Sequence, residues 1–168
     1  ADAIVEAALD FATRQVTEKQ FKRNGRNLRP PHFVVLALGK LGGRELNYSS
    51  DIDLIFLFDA PGSEHDPHSY FNRLGERLVQ NIGRPTAEGH FYRIDMRLRP
   101  ESGSGPLTRS LASTLLYYES RGELWERQML IKAGREAGIM VDVEGESNFY
   151  NNITMILDGN TNLQHNFP

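Results

Sequence analysis

"RELNYSSDIDLIFLFD", residues 44 to 59, sets two aspartates one residue apart at the mouth of an apolar run. The run Leu54 to Phe58 is short, unbroken and rich in β-formers, so it reads as a buried strand, closed by a turn at Asp59-Ala60-Pro61-Gly62. Side chains alternate along a strand, so Asp51 and Asp53 point one way while Ile52 and Leu54 point the other. Two carboxylates then share one small volume. Like charges at that separation repel, and without a positive group between them one takes up a proton. A divalent cation removes the conflict: Mg2+ and Mn2+ prefer carboxylate oxygens and retain open positions for water and phosphate. The competing reading is two solvated acids at a strand mouth, because an isolated Asp-x-Asp is common.

Two further stretches bear on that choice. Upstream lies Gly39-Lys40-Leu41-Gly42-Gly43, ahead of Ser49-Ser50. Glycines let backbone N–H groups approach a phosphate, and serines can donate to it. The Walker pattern is absent, and a pair of glycines alone also makes an ordinary tight turn. Downstream, Phe91 to Leu98 reads as a third strand after Gly89. On it Asp95, Arg97 and Arg99 share a face opposite Ile94, Met96 and Leu98. Beside an Asp-x-Asp pair this looks like a third metal ligand followed by phosphate clamps.

The 168 residues, 39% of them hydrophobic, suit one domain with a modest core. The absence of cysteine excludes disulfides and thiolate chemistry and fits a reducing, cytoplasmic setting. No apolar stretch is long enough to span a bilayer, and no signal segment opens the chain. It starts at Ala1 rather than Met, and is read as a piece of something longer. Every Lys and Arg lies at or before Arg135, leaving residues 136–168 acidic and Asn-rich without a lasting pattern. That places a boundary between a domain at 1–135 and a tail, or an incomplete C-terminal extension, at 136–168. No basic stripe predicts nucleic-acid binding.

Helical spacing of Ile4, Val5, Ala8, Leu9, Ala12 and Val16 predicts a helix over residues 1–22, followed by a basic loop and a buried strand at Phe33 to Leu38. Asp66-Pro67 marks a helix start ahead of Tyr70, Phe71, Leu74, Leu78, Val79 and Ile82, with Gly83 as its stop. Two short helices, Ser110 to Ser120 and Glu123 to Ala133, break at Gly122, and the second is expected to bury Trp125, Met129 and Leu130 before Gly134 ends it. Strands separated by helices predict an α+β or α/β domain with a sheet of three to five strands. Arg109 and Arg127 are read as partners of Glu101, Glu123 or Glu126. His65, His68 and His90 share no spacing with the acids and are left out of the metal set. The sequon Asn152-Ile153-Thr154 has meaning only in a secreted protein.

Gly-Gly, Asp-x-Asp and a later strand Asp together resemble the signature of the nucleotidyltransferase superfamily related to DNA polymerase β. The similarity goes further: "GKLGGRELNYSSDIDLIFLFD" (39–59), "RIDMRLRP" (93–100), "GSGPL" (103–107) and "YYESRGELWERQMLIKA" (117–133) resemble, in order and spacing, successive motifs of the glutamine synthetase adenylyltransferase family. The resemblance covers residues 33–133, and implies an α+β nucleotidyltransferase fold with a small mixed sheet flanked by helices. It implies a cytoplasmic enzyme that moves an adenylyl group on or off a tyrosine of glutamine synthetase, with ATP, ADP and phosphate as small-molecule partners. A PII-type signal protein would reach it through the full-length enzyme. Two Mg2+ or Mn2+ ions would be held by Asp51, Asp53 and Asp95. Lys40, Gly42, Gly43, Ser50, Arg97 and Arg99 would take the phosphates.

Family members carry two such domains. Glu45-Leu46-Asn47 and Ser49-Ser50-Asp51-Ile52-Asp53 resemble the half that removes AMP by phosphorolysis, giving ADP. The alternatives are the adenylylating activity and a non-catalytic fragment that binds nucleotide or partner. A nucleotidyltransferase for RNA or an antibiotic is disfavoured by the matches outside the acids.

Overall fold

The computed structural model describes residues 1–24, 32–59, 67–130 and 133–139. Its centre is a five-stranded mixed sheet. β1 (Phe33–Leu38) and β2 (Ile52–Phe58) pair antiparallel, Phe33 opposite Phe58 and Leu38 opposite Asp53. All six residues of β1 and all of β2 except Asp53 are buried, which is why both read as continuous apolar runs: helices cover both faces.

One face packs against α1 (Asp2–Asn24) and α3 (Pro67–Gly83). Val5, Leu9 and Ala12 of α1 and Phe71, Leu74, Leu78 and Ile82 of α3 meet Phe33, Val35 and Ala37 of β1 and Ile52, Leu54, Phe56 and Phe58 of β2. The expected helical spacings are therefore core faces, and Gly83 closes α3 as expected. The other face packs Val34, Leu36, Leu38, Ile55 and Leu57 against α4 (Leu111–Ser120) and Leu130 of α5 (Leu124–Leu130). Ser110 caps α4 by accepting from the Ser113 N–H.

The remaining strands depart from expectation. The third strand shrinks to β3 (Ile94–Asp95), parallel to β2. Its end has a cause: the Asp95 carboxylate accepts the Arg97 backbone N–H at 2.8 Å, turning the chain before a strand can continue. β4 (Thr108–Ser110), where no strand was expected, runs parallel to the same edge of β2, beyond β3. β5 (Gly134–Ile139) pairs antiparallel with β1, from Phe33 opposite Ile139 to Ala37 opposite Gly134. The strand runs across the expected boundary at 135/136, and Gly134 opens it rather than ending a helix. Residues 140–168, the loop at 25–31 and the Asp66 cap lie outside the described residues.

Between β1 and β2 the glycine stretch forms a single helical turn, α2 (Gly39–Gly42). The orientation of α5 also differs. Trp125 is 50% exposed, while Glu126 and Leu130, one helical turn apart, face inward. Glu126 is buried because its carboxylate accepts the Tyr117 hydroxyl at 2.9 and 3.1 Å and the Glu123 N–H at 2.8 Å. Satisfying that charge turns the helix and leaves the indole outside. Among the described residues no helix is long and apolar enough to cross a membrane.

Candidate metal and phosphate site

The acids collect where β2 enters the sheet. Asp51 immediately precedes β2, Asp53 is its second residue, and the parallel register sets Asp95 of β3 beside Asp53. Neighbouring strands lie about 4.8 Å apart, so adjacent positions on one face put two carboxylates within each other's field.

Gly39 shapes the floor. Its φ of +54° lies in the left-handed region, and a Cβ there would come within 2.5 Å of the Asp53 Oδ2. The glycine thus permits the reversal after β1 and leaves room for the Asp53 carboxylate. Lys40 is exposed, and Gly42 and Gly43 are half-buried. The Gly43 N–H donates to the Gly39 carbonyl at 3.1 Å, inside the turn itself. Ser50 donates its N–H to the Asn47 carbonyl and sits directly before Asp51.

Two arginines pair with the acids. Arg93 donates from Nε to Asp51 Oδ1 at 2.5 Å and from a terminal nitrogen to the Ser49 carbonyl at 3.2 Å. Arg97 spans the Asp95 carboxylate, with Nε to Oδ2 at 2.9 Å and its terminal nitrogen to the same oxygen at 2.5 Å. Arg93 was missed as a site residue. Its signal was present in the sequence, because Arg93 stands two residues before Asp95 and so shares its face on the expected strand; the register then sets it beside Asp51.

Arg99, expected to follow Arg97 on the phosphate face, lies elsewhere. Its guanidinium donates to the carbonyls of Met96, Gly103 and Gly105, holding the turn after β3 together. The alternation that predicted one row of guanidiniums ends where β3 ends. Arg109 pairs with Glu101 at 2.7 Å, as anticipated, and Arg127 donates instead to the Tyr118 carbonyl.

The charges leave an imbalance at Asp53. Burial, then the neighbouring Asp95 and Asp51 carboxylates, push its pKa up, and Arg97 offsets this only in part. Asp95 moves the other way, held down chiefly by the hydrogen bonds from Arg97. Among the described residues no three His, Asp or Glu side chains are gathered tightly enough to hold a metal ion; Asp51 and Asp95 are engaged by their arginines. The donor set nevertheless fits a hard divalent cation: all three side chains offer carboxylate oxygens, and Asp53, beside Asp95 in the register, makes no ion pair among the described residues. Next to Asp51 an open groove of about 870 Å³ runs between residues 46–50 and 90–93, flanked by exposed Tyr48 and Phe91.

A family model described as glutamate-ammonia ligase adenylyltransferase matches residues 1–143. Proteins named bifunctional glutamine synthetase adenylyltransferase/adenylyl-removing enzyme are similar to the chain. The one from Thioalkalivibrio sulfidiphilus is 43% identical over 143 residues, covering 82% of this chain and 15% of that protein. That from Agrobacterium fabrum is 42% identical over 162 residues, covering 92% of this chain and 16% of the relative. A match of that extent reaches into the Asn-rich segment, which resembled nothing when read alone. The chain therefore spans about a sixth of the length of these relatives. With the family model covering most of the chain and relatives 43% and 42% identical along more than two thirds of it, the chain belongs to the glutamate-ammonia ligase adenylyltransferase family.

Proposed function

We propose that this chain is a nucleotidyltransferase domain of DNA polymerase β-like fold that removes AMP from an adenylylated tyrosine of glutamine synthetase by phosphorolysis, in the cytoplasm. The observation that carries the reading is the pairing of Asp53 with Asp95 across adjacent strands, with Asp51 on the same face and Gly39 keeping the space beneath Asp53 open. A mixed sheet covered by helices on both faces, with its acids at one strand mouth, supports the nucleotidyltransferase assignment. The names of the relatives support the substrate.

In the reaction, a phosphate oxygen bonds to the α-phosphorus and the bond from that phosphorus to the tyrosine oxygen breaks. ADP leaves, and the phenolate takes up a proton. Asp51, Asp53 and Asp95 would hold two Mg2+ or Mn2+ ions, which supply Lewis-acid stabilisation of the phosphoryl oxygens. Asp53, set by β2 and the Gly39 turn, fixes the position of that charge. Arg97 and the exposed Lys40 bring positive charge toward the anionic phosphates. Ser50 offers a hydroxyl beside Asp51. Glu45-Leu46-Asn47 and Ser49-Ser50 before the acid pair support the removing direction over the attaching one. A PII-type signal protein would act through the full-length enzyme.

Intact-mass analysis of adenylylated and unmodified glutamine synthetase, incubated with this chain, Mg2+ and either phosphate or ATP, tests the proposal. Loss of AMP with phosphate, accompanied by ADP, is expected. Gain of AMP with ATP reverses the assigned direction, and no change in either mass, while a full-length family enzyme works in parallel, makes the chain a binding fragment.

A further inference from the structure

Three arginines follow one another around Asp95, and their anchoring differs. Arg99 is tied to three backbone carbonyls. Among the described residues the guanidinium of Arg97 is bonded only to the Asp95 carboxylate, and its side chain is 80% exposed while that of Asp95 is 15% exposed. Arg93, 66% exposed, bonds to Asp51 and to one carbonyl. Asp53 makes no ion pair among the described residues, although it lies beside Asp95 in the parallel register of β2 and β3. The acids are rooted in the sheet and the two guanidiniums approach from the solvent side, so the pairs can open without disturbing the core.

We propose that Arg93 and Arg97 are built-in counter-ions of the acid cluster: they occupy Asp51 and Asp95 until a divalent cation arrives at Asp53, and metal entry exchanges the cation for the guanidiniums. This rests on the metal reading above. The exchange explains how three acids sit close together at one sheet end, two of them held by guanidiniums, and why they are not gathered around a common point. A released guanidinium remains tethered beside the site, where it is available to the anionic phosphates. Arg93 and Arg97 thus oppose metal binding and favour phosphate binding, a pair of effects with opposite signs.

That sign pattern is the test. Mn2+ is titrated into the chain and followed by the spin-resonance signal of the free ion, for wild type, Asp53→Asn, Arg93→Gln, Arg97→Gln and the double arginine variant. ADP binding is measured separately at saturating Mg2+. Each arginine variant should bind Mn2+ roughly two- to fivefold more tightly, as expected for loss of an exposed ion pair that competes for the same oxygens. The double variant should gain more than either. Arg97→Gln should bind ADP about tenfold more weakly, the loss expected for a charge-assisted hydrogen bond. A merely structural role would move both affinities the same way. Unchanged or weaker Mn2+ binding in the arginine variants, with Asp53→Asn still losing the ion, overturns the exchange alone. Equal Mn2+ binding by wild type and Asp53→Asn, or none by any of the five proteins, overturns the metal reading beneath it.

Discussion

Asp53 is where the site's needs and the fold's stability oppose each other. Burial and the Asp95 and Asp51 charges raise its pKa above 3.8, so its ionised form is disfavoured in the folded chain relative to the unfolded one. The penalty is present above the folded-state pKa and fades as pH falls toward the unfolded value. In metal-free buffer at pH 7.5, Asp53→Asn should therefore melt higher than wild type, by about 1–2 °C once solvent screening of the partly exposed carboxyl is allowed for. The margin should shrink as the pH approaches 4. A variant that melts lower at neutral pH, or a margin that ignores pH, would contradict this account of the residue. The acid pair was legible in the sequence because strand alternation alone puts Asp51 and Asp53 on one face. Arg99 was misread because that rule was carried past Asp95, whose side chain turns the backbone at Arg97. Trp125 was misread because an exposed indole follows from a buried Glu126, and hydrophobic spacing carries no sign of a satisfied buried carboxylate.

At the scale of elements, what the sequence shows depends on where a strand's stability arises. β1 and β2 are buried on both faces and announce themselves as apolar runs, and α3 shows its core stripe directly. β4 and β5 do not, because their pairing is supplied by the edges of β2 and β1. The sequence of β5, Gly-Arg-Glu-Ala-Gly-Ile, has no alternation to detect. β4 depends on a contact from another element. Asn72 of α3 accepts from the Thr108 N–H at 3.1 Å and from its hydroxyl at 2.7 Å, and Thr108 is fully buried. Asn72→Ala strands two buried donors at a cost of about 2 kcal/mol, a melting temperature lower by about 4–8 °C. Asn72→Asp keeps the acceptor and should retain most of the stability. Equal losses in the two variants would mean that packing, not the hydrogen bonds, ties β4 to α3.

At the scale of the molecule, the two helical layers and the sheet perform separate tasks. α1 and α3 cover one face, α4 and α5 cover the other, and the acids gather at the end where β2 enters. The β1 reversal at Gly39, the start of β2 and the end of β3 converge there. This leaves one region with closely spaced carboxylates, exposed guanidiniums and an adjoining groove, the combination that the proposed phosphate chemistry needs. The whole arrangement hinges on whether that sheet end takes a divalent cation. Anomalous diffraction from crystals of the chain soaked in Mn2+ and ADP measures this most directly. The account predicts a manganese peak bounded by the Asp51, Asp53 and Asp95 carboxylates, at distances near 2.1–2.3 Å expected for hard cations on oxygen, with Arg97 withdrawn from Asp95. Manganese absent from these carboxylates, with ADP bound and Arg97 still paired, would contradict it.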